Sequence, residues 1–234
     1  MKVSEIRRYP VKSMGGESLQ RVDVDGRGLG GDRWFAVVDA EGRLGSGKNS
    51  RRFRRFEEIF QYHAEMADGD TRVVGPSGSW TVGDPELDRV LSGQMAAEVR
   101  ILAEAGTPHQ DAGQVSLVGT ASLDWCREQL DVDGDRRRIR PNLVVSTTEP
   151  FVEEGWGGAT IRVGSVELAV VERIERCRMV DIAQEGLAEQ PGWLKALGRE
   201  RDLCLGIYAD VAGAGSVAVG DRVDVEPMKH SPGD

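Results

Sequence analysis

The sequence is poor in cysteine and histidine, the residues that build disulfide frameworks and zinc sites. Its 234 residues contain three cysteines, an odd and widely spaced set, whereas small disulfide-bonded domains carry dense, even sets. The three histidines lie far apart, and neither a C-x-x-C nor an H-x-x-x-H pair is present, so a structural zinc site is not expected. We therefore expect three reduced thiols, Cys126, Cys177 and Cys204.

Long apolar runs and a positive net charge are also missing. No stretch approaches the roughly 18 apolar residues that cross a bilayer, and the first residues, MKVSEIRRYPVKS, lack the apolar core of a secretory signal. Asp and Glu number 39 against 30 Lys and Arg, and the net charge of −9 argues against bulk attraction to nucleic acid or anionic membranes. We expect a cytoplasmic protein without a nucleic-acid or membrane partner.

Common nucleotide-binding and hydrolase motifs are absent as well. Gly26, Gly28 and Gly31 fit the pattern G-x-G-x-x-G, but a predicted strand at 34–39 follows, where a dinucleotide-binding fingerprint needs the start of a helix. We therefore interpret the glycines as a turn between strands. The sequence also has no P-loop, no G-x-S-x-G elbow and no ferredoxin-type cysteine spacing.

The first hundred residues alternate apolar and polar positions in short runs, which is typical of half-buried strands. Helical spacing of phenylalanines predicts a helix at 51–60, and a second helix at 85–91 follows Asp84 as its cap. The predicted strands are 3–8, 19–24, 34–39, 63–66, 71–74, 79–82 and 98–102. The fold class that follows is α+β, rich in β-structure.

The second half mixes helices and strands. Helices are predicted at 118–130 and 189–197, and strands at 143–146, 159–163, 166–172, 203–211 and 222–225. The residue pattern changes near 93–108, from alternating strands to mixed helices and strands. We therefore predict one domain at 1–95 and another at 96–228, with residues 229–234 as a frayed tail.

Two arginine-rich stretches stand out in this acidic chain. The first contains Arg51, Arg52, Arg54 and Arg55, and a solvated face is the favoured interpretation. The second, at 136–140, runs directly into a predicted strand. Its last arginine could bind a phosphate with both arms of the guanidinium group.

The three cysteines differ in their surroundings. Cys126 lies on the apolar face of a predicted helix, where a small buried thiol is expected. Cys204 lies in a predicted strand and could line a site or pack in the core. Cys177 is flanked by Arg176 and Arg178, and neighbouring cations favour the thiolate, the form that attacks electrophiles and binds metals. The residues alone thus indicate a β-rich protein with one activated cysteine.

Several short motifs resemble one family, the MOSC domain proteins. Tyr9-Pro10-Val11-Lys12-Ser13, Gly28-Leu29 and Gly31-Asp32-Arg33-Trp34 resemble the N-terminal barrel module of that family. Arg140-Pro141-Asn142-Leu143-Val144-Val145, Pro150-Phe151-Val152-Glu153 with Trp156, Arg176-Cys177 and Gly206-Ile207-Tyr208 resemble the MOSC domain itself. The resemblance extends from about residue 3 to residue 226. It implies a β-barrel-like N-terminal module packed on a MOSC β-barrel with peripheral helices.

The resemblance also implies a molybdenum–molybdopterin cofactor. Cys177 matches the position of the cysteine that ligates molybdenum, so it is the predicted metal ligand and catalytic residue. The other positions that the family implies for cofactor binding are Lys12, Ser13, Arg33, Ser116, Arg140, Asn142, Arg176 and Tyr208. Lysine and arginine side chains from distant segments would meet the pterin phosphate, a dense anion.

Among functions, the chain is most similar to the amidoxime-reducing components and their bacterial counterparts, which reduce N-hydroxylated compounds. The residues after Cys177, Met179-Val180-Asp181-Ile182-Ala183, depart from the Thr-containing stretch usual in those reductases, and a fused ferredoxin module is absent. A small-molecule substrate and a separate electron-donor protein are therefore expected, and the oligomeric state stays open, with a monomer among the alternatives. The alternatives are a cofactor carrier or sulfur-transfer protein that uses Cys177, or a carbon–sulfur bond-cleaving enzyme of a biosynthetic pathway.

Overall fold

The computed structural model describes residues 1–106 and 108–226. The fold is α+β and strand-rich, with 41% strand and 20% helix, which confirms the fold class predicted from the sequence. Within the described part of the chain, no helix has both the length and the apolar character that a membrane crossing needs. The tail predicted at 229–234 lies outside the described residues.

The elements follow one another along the chain in this order. The strands are β1 Val3–Arg8, β2 Glu17–Leu19, β3 Arg21–Asp25, β4 Gly28–Leu29, β5 Phe35–Asp39, β6 Leu44–Ser46, β7 Phe53–Arg55, β8 His63–Ala67, β9 Asp70–Gly75, β10 Gly78–Thr81, β11 Val99–Ala103, β12 Val115–Gly119, β13 Leu143–Val145, β14 Thr160–Val163, β15 Val166–Glu175, β16 Cys204–Gly213, β17 Gly215–Ala218 and β18 Val223–Glu226. The α-helices are α1 Pro85–Gln94, α2 Thr120–Gln129, α3 Arg136–Ile139 and α4 Trp193–Arg201. Three 3-10 helices span Glu57–Gln61, Val152–Trp156 and Arg178–Val180.

An eight-stranded sheet forms the larger half of the molecule, in the order β18-β14-β15-β16-β12-β13-β1-β2. Its core contains fully buried side chains such as Ile6, Leu117 and Ile161, and a smaller sheet, β17-β3-β4, contributes Val22 and Val217 to the same core. Strands β12 and β13 run parallel, while their other neighbours run antiparallel. The first strand of the chain therefore completes a sheet built mainly from the second half.

A second group of strands packs around helix α1. It comprises the sheets β11-β5-β6-β7 and β10-β9-β8, and the shared core includes Val37, Ile59 and Leu91. Strand β11 pairs with β5, so that Val99 lies opposite Asp39. The division of the chain into domains at 1–95 and 96–228 stays a prediction.

Most predicted elements are found, but the helix at 51–60 is wrong. The segment forms strand β7 and then a 3-10 helix, and β7 pairs in parallel with β6. Side chains before the strand hold this geometry, because Asn49 accepts from the backbone of Arg55 at 2.8 Å and Ser50 accepts from that of Phe53 at 3.1 Å. Tertiary pairing thus overrides the helical spacing of the phenylalanines.

Other predicted boundaries shift for local reasons. The strand predicted at 19–24 is divided into β2 and β3, and the helix predicted at 118–130 begins at Thr120, because 115–119 forms a buried strand. The helix predicted at 189–197 begins only at Trp193. The glycine-rich segment is a turn, as expected: Asp25 pairs with Gly28, whose φ of 114° favours glycine.

Candidate functional site

A cavity of about 670 Å³ lies between the two groups of strands and carries most of the predicted site residues. Eight of the nine predicted positions line it: Lys12, Ser13, Arg33, Ser116, Arg140, Arg176, Cys177 and Tyr208. The ninth, Asn142, is buried directly behind Ser116. The structure thus brings residues from six distant segments to one place.

Three of these residues have a left-handed backbone. The φ angles are 69° at Ser13, 52° at Arg33 and 52° at Arg140, where helix α3 ends. Such a conformation costs a residue other than glycine roughly 1–3 kcal/mol, and it tends to occur at functional sites. The surrounding structure holds these three side chains at the cavity wall despite that cost.

Three guanidinium groups contact the ring of Tyr9. We call Tyr9 and the three arginines, Arg7, Arg33 and Arg140, the Tyr9 cluster. The ring is fully buried, and the guanidinium carbons lie 5.6, 5.0 and 4.3 Å from its centroid, respectively. Cation–π contacts of this kind stabilise by about 0.5–2 kcal/mol each. The Tyr9 hydroxyl accepts from Arg7 at 3.2 Å and donates to the Pro141 carbonyl at 3.3 Å, which fixes the ring.

Only two of the three arginines in the Tyr9 cluster have a carboxylate partner. Arg33 pairs with the fully buried Asp32, and Arg7 pairs with Glu185. Burial lowers the pKa of Arg140, although an arginine stays charged at any ordinary pH. Arg140 donates to the Met14 carbonyl at 2.5 Å, but its Nη1 is buried without a partner among the described residues. The cluster therefore holds one cation that lacks a counter-ion.

Replacing Arg140 with methionine is expected to leave the stability of the cofactor-free protein within about 1 kcal/mol of the wild type, because an apolar residue of similar length removes an unpaired buried charge. Reversible denaturant unfolding of both proteins measures this. A loss above about 2 kcal/mol would instead assign the side chain a structural role, through its bond to Met14 and its stacking on Tyr9.

Lys12 and Asp111 form an ion pair on the cavity wall. The Lys12 ammonium donates to the Asp111 carboxylate at 2.9 Å and to the His109 carbonyl at 2.8 Å. Burial lowers the pKa of Lys12, and Asp111 offsets part of that effect. Burial by itself would raise the pKa of Asp111, but Lys12 lowers it to about 2. Asp111 is therefore a carboxylate, and no sequence pattern predicted its position here.

Asn142 acts through its neighbours rather than at the cavity surface. Its side-chain oxygen accepts from the Ser116 backbone at 3.1 Å, from the Ser116 hydroxyl at 2.9 Å and from Arg33 at 3.4 Å. The parallel pairing of β12 with β13 brings Asn142 and Ser116 together, and Ser116 in turn lies opposite Tyr208 of β16. Asn142 thus orients both a hydroxyl and a guanidinium group of the cavity wall.

Cys177 lies just after strand β15, and its half-buried side chain reaches the cavity. Of the two flanking cations, Arg176 stays at the cavity and donates to the carbonyls of Ile139 at 2.7 Å and Leu205 at 2.8 Å. Burial lowers the pKa of Arg176. Arg178 pairs with Glu57 and does not line the cavity, so Arg176 is the flanking cation that remains at the cavity with Cys177.

The other two cysteines have different surroundings. Cys126 is fully buried in the core around α2, as predicted, and burial raises the pKa of its thiol to about 12. Cys204 lines the same cavity as Cys177, and burial raises the pKa of its thiol too. The Asp181 carboxylate accepts from the backbone of Leu194, in the first turn of α4, at 3.0 Å.

The first arginine stretch is divided between the surface and the cavity. Arg54 pairs with Asp39 and Arg55 pairs with Glu57, while Arg51 is exposed. Arg52 instead lines the cavity, so the prediction of a solvated face is wrong for this residue. Sequence reasoning also missed Lys48, which lines the cavity beside it.

The cavity is strongly cationic although the protein is acidic. Eight of its lining residues are Lys or Arg and three are Asp or Glu, in a chain of net charge −9. Within residues 1–106 and 108–226, no group of three or more His, Cys, Asp or Glu side chains could hold a metal ion. An anionic group fits this wall, because Arg140 Nη1 is a buried donor without a partner among the described residues and the Cys177 thiol lies at the same cavity.

Comparison with known protein families agrees with this geometry. Residues 105–224 match the MOSC domain, and residues 1–74 match the MOSC N-terminal beta barrel domain. The chain belongs to the MOSC domain family. The motifs that resembled this family in the sequence are therefore correctly assigned, and this MOSC protein is related to molybdenum-cofactor proteins.

Its relatives include two kinds of curated protein. The molybdenum cofactor sulfurases of Caenorhabditis briggsae and Anopheles gambiae are 23% and 24% identical to it over 86% and 88% of this chain, which spans 32% and 34% of their lengths. The mitochondrial amidoxime-reducing component 1 of Danio rerio is 36% identical over 33% of this chain and 23% of its own length. This MOSC chain thus spans about a third or less of these relatives.

Among solved structures, the YUAD protein from Bacillus subtilis has a similar fold. It superposes with a TM-score of 0.56 at 15% identity, covering 97% of this chain and 96% of that chain. This similarity is one of fold and extends over nearly the whole chain.

Proposed function

We propose that this MOSC protein binds the molybdenum cofactor and reduces N–O bonds of N-hydroxylated small molecules. The observation that supports the proposal most directly is the position of Cys177, which shares one cavity with Lys12 and with Arg33 and Arg140 of the Tyr9 cluster. Relatives named amidoxime-reducing component and molybdenum cofactor sulfurase support the cofactor assignment. We further propose a cytoplasmic location.

The side chains of the cavity have separate roles in this proposal. Cys177 ligates molybdenum as a soft thiolate. Arg140 and Arg33 bind the phosphate of the cofactor, and the unpartnered Nη1 of Arg140 becomes satisfied by that anion. Lys12 and Ser13 meet the pterin or its phosphate, Asn142 orients Ser116 and Arg33, and Arg176 and Tyr208 complete the wall beside the thiol.

Reduction of an N-hydroxylated compound replaces N–OH by N–H, consumes two electrons and two protons, and releases water. The cofactor supplies the two-electron redox chemistry when bound. The chain itself supplies binding, orientation and positive charge, and the electrons come from a separate donor protein. Arg140 and Arg33 offset the desolvation of the cofactor's anion at the wall.

The proposal is tested on protein made in a host that synthesises molybdopterin. We expect about one molybdenum and one pterin per chain, and turnover of an N-hydroxylated benzamidine when a reduced viologen dye donates electrons. The measurements are metal analysis, fluorescence of the released and oxidised pterin, and chromatography of the amidine product. Protein from the same host without molybdenum and pterin would contradict the cofactor assignment, and loaded protein without turnover would contradict the reaction.

A second candidate function is cofactor carriage or sulfur transfer through Cys177. The sulfurases that resemble the chain align with 86–88% of it, a larger share than the amidoxime-reducing component does. A second thiol in the cavity, Cys204, suits such a role. Bound pterin together with no turnover, and release of the cofactor to an acceptor apoenzyme, would favour this function over reduction.

A further inference from the structure

A second aromatic ring with three nearby cations, that of Phe53, lines the cavity. It belongs to the group of strands built by the first half of the chain. We call it the Phe53 cluster: Phe53, Lys12, Lys48 and Arg52. The Phe53 ring is buried, and the charged groups of Lys12, Lys48 and Arg52 lie 5.3, 4.9 and 5.1 Å from its centroid. All four side chains line the cavity. Three cations thus surround one small apolar ring.

The charges of the Phe53 cluster are only partly neutralised. Lys12 pairs with Asp111. Arg52 donates to the carbonyls of Pro108 and Gln110, the latter at 2.8 Å, and its buried Nε has no partner. The ammonium group of Lys48 has neither an ion pair nor a hydrogen bond within the described part of the chain. The cluster therefore holds two cations without a counter-ion.

The Phe53 cluster is separate from the Tyr9 cluster. Each aromatic ring carries its own three cations, and no cation is shared between the two rings. Phe53 lies in β7, whereas Tyr9 follows β1. Lys12 lies between them, since both Arg33 and Arg52 lower its pKa. Arg140, the unpaired cation beside Tyr9, and Lys48 and Arg52, the unpaired cations beside Phe53, therefore contact different rings.

We propose that the Phe53 cluster is a second anion site, which binds a phosphate or carboxylate group in addition to the anion at the Tyr9 cluster. Lys48 and Arg52 supply the charge-assisted hydrogen bonds, and Phe53 holds their positions. Asp111 pairs with Lys12 and limits the net positive charge of the site. The group belongs either to the substrate or to a second anionic part of the cofactor.

Lys48 provides the sharper test, because Arg52 also fixes the backbone at Pro108 and Gln110. The variants are Lys48→Met, Lys48→Arg and, as a matched control, Arg51→Gln, which removes an exposed charge from the same segment. Titration calorimetry measures the binding of inorganic phosphate to cofactor-free protein. Lys48→Met is expected to weaken this binding about tenfold. Lys48→Arg and Arg51→Gln are expected to bind like the wild type.

Phosphate can also bind at the Tyr9 cluster, so the same variants are repeated in an Arg140→Met background, where that cluster no longer has an unpaired cation. Binding that remains there and depends on Lys48 is the expected result. Equal binding by Lys48→Met and Arg51→Gln in both backgrounds would overturn the proposal. A thermal melt of each variant, expected to match its parent, excludes misfolding as the cause of a loss.

Loaded protein then identifies the source of the anionic group. If phosphate still binds to protein that holds its cofactor, and Lys48→Met weakens that binding, the site serves an anionic substrate. If the cofactor blocks Lys48-dependent phosphate binding, the site holds an anionic part of the cofactor. Both outcomes support an anion site at the Phe53 cluster, and the measurement on cofactor-free protein holds even if the proposed reduction is wrong.

Discussion

Replacing Cys177 with serine is expected to remove molybdenum from the protein while leaving its fold intact. The half-buried side chain precedes a short 3-10 helix without capping it, so a hydroxyl costs little structurally. A neutral hydroxyl is a much poorer ligand than a thiolate for a soft metal site. We expect molybdenum per chain to fall roughly tenfold or more, measured by metal analysis of protein purified from a molybdopterin-producing host.

Two cysteine variants serve as controls for this experiment. Cys126→Ser lies in the core, so it should lower the melting temperature but keep the molybdenum, because its thiol does not line the cavity. Cys204→Ser changes the other thiol of the cavity and should keep the metal as well. Equal metal contents in Cys177→Ser and wild type would contradict the assignment of Cys177 as the ligand.

Replacing Asp32 with asparagine is expected to lower the free energy of unfolding by about 3 kcal/mol. The side chain is fully buried, accepts from the Tyr9 backbone at 2.8 Å and pairs with Arg33. The amide oxygen of asparagine can still accept from the Tyr9 backbone, so the substitution removes only the negative charge. Without that charge, the buried guanidinium group of Arg33 has lost its counter-ion. Denaturant unfolding of the cofactor-free protein measures the change.

The control for this prediction is an exposed ion pair. Glu86→Gln breaks the surface pair with Arg89 on helix α1, which should cost less than about 1 kcal/mol. The double variant Asp32→Asn, Arg33→Met should recover part of the lost stability, because no uncompensated charge remains. If Asp32→Asn costs no more than Glu86→Gln, the buried pair does not hold the Tyr9 cluster together.

The sequence predicts the strands well because most of them are half-buried. In β3, Val22 and Val24 are buried between exposed residues, which produces the alternation that the sequence displays. The cavity residues were identified through motifs, and each motif also has a structural cause. Arg33 and Arg140, for example, sit at left-handed positions that end a turn and a helix, so the order of residues around them is restricted.

The Phe53 cluster could not be predicted from the sequence, because the directions of its side chains depend on strand pairing, which the local sequence does not encode. Phe53 and Phe56 have helical spacing, yet the parallel pairing of β6 with β7 makes the segment extended. Arg52, just before β7, lines the cavity, whereas Arg54 pairs with Asp39. Asp111 lies in a polar connection with no periodicity. Only the folded arrangement reveals that it faces Lys12.

The eight-stranded sheet also determines when the protein can acquire a ligand during its synthesis. Strand β1 pairs with β13, and the backbone of Val3 donates to the carbonyl of Asp221, so early and late residues hold each other in place. Such contacts, distant in sequence, form slowly and cannot form on the ribosome before the late strands emerge. The cavity, whose walls run from Lys12 to Tyr208, therefore forms only after translation of these residues, and a ligand can enter it only after that point.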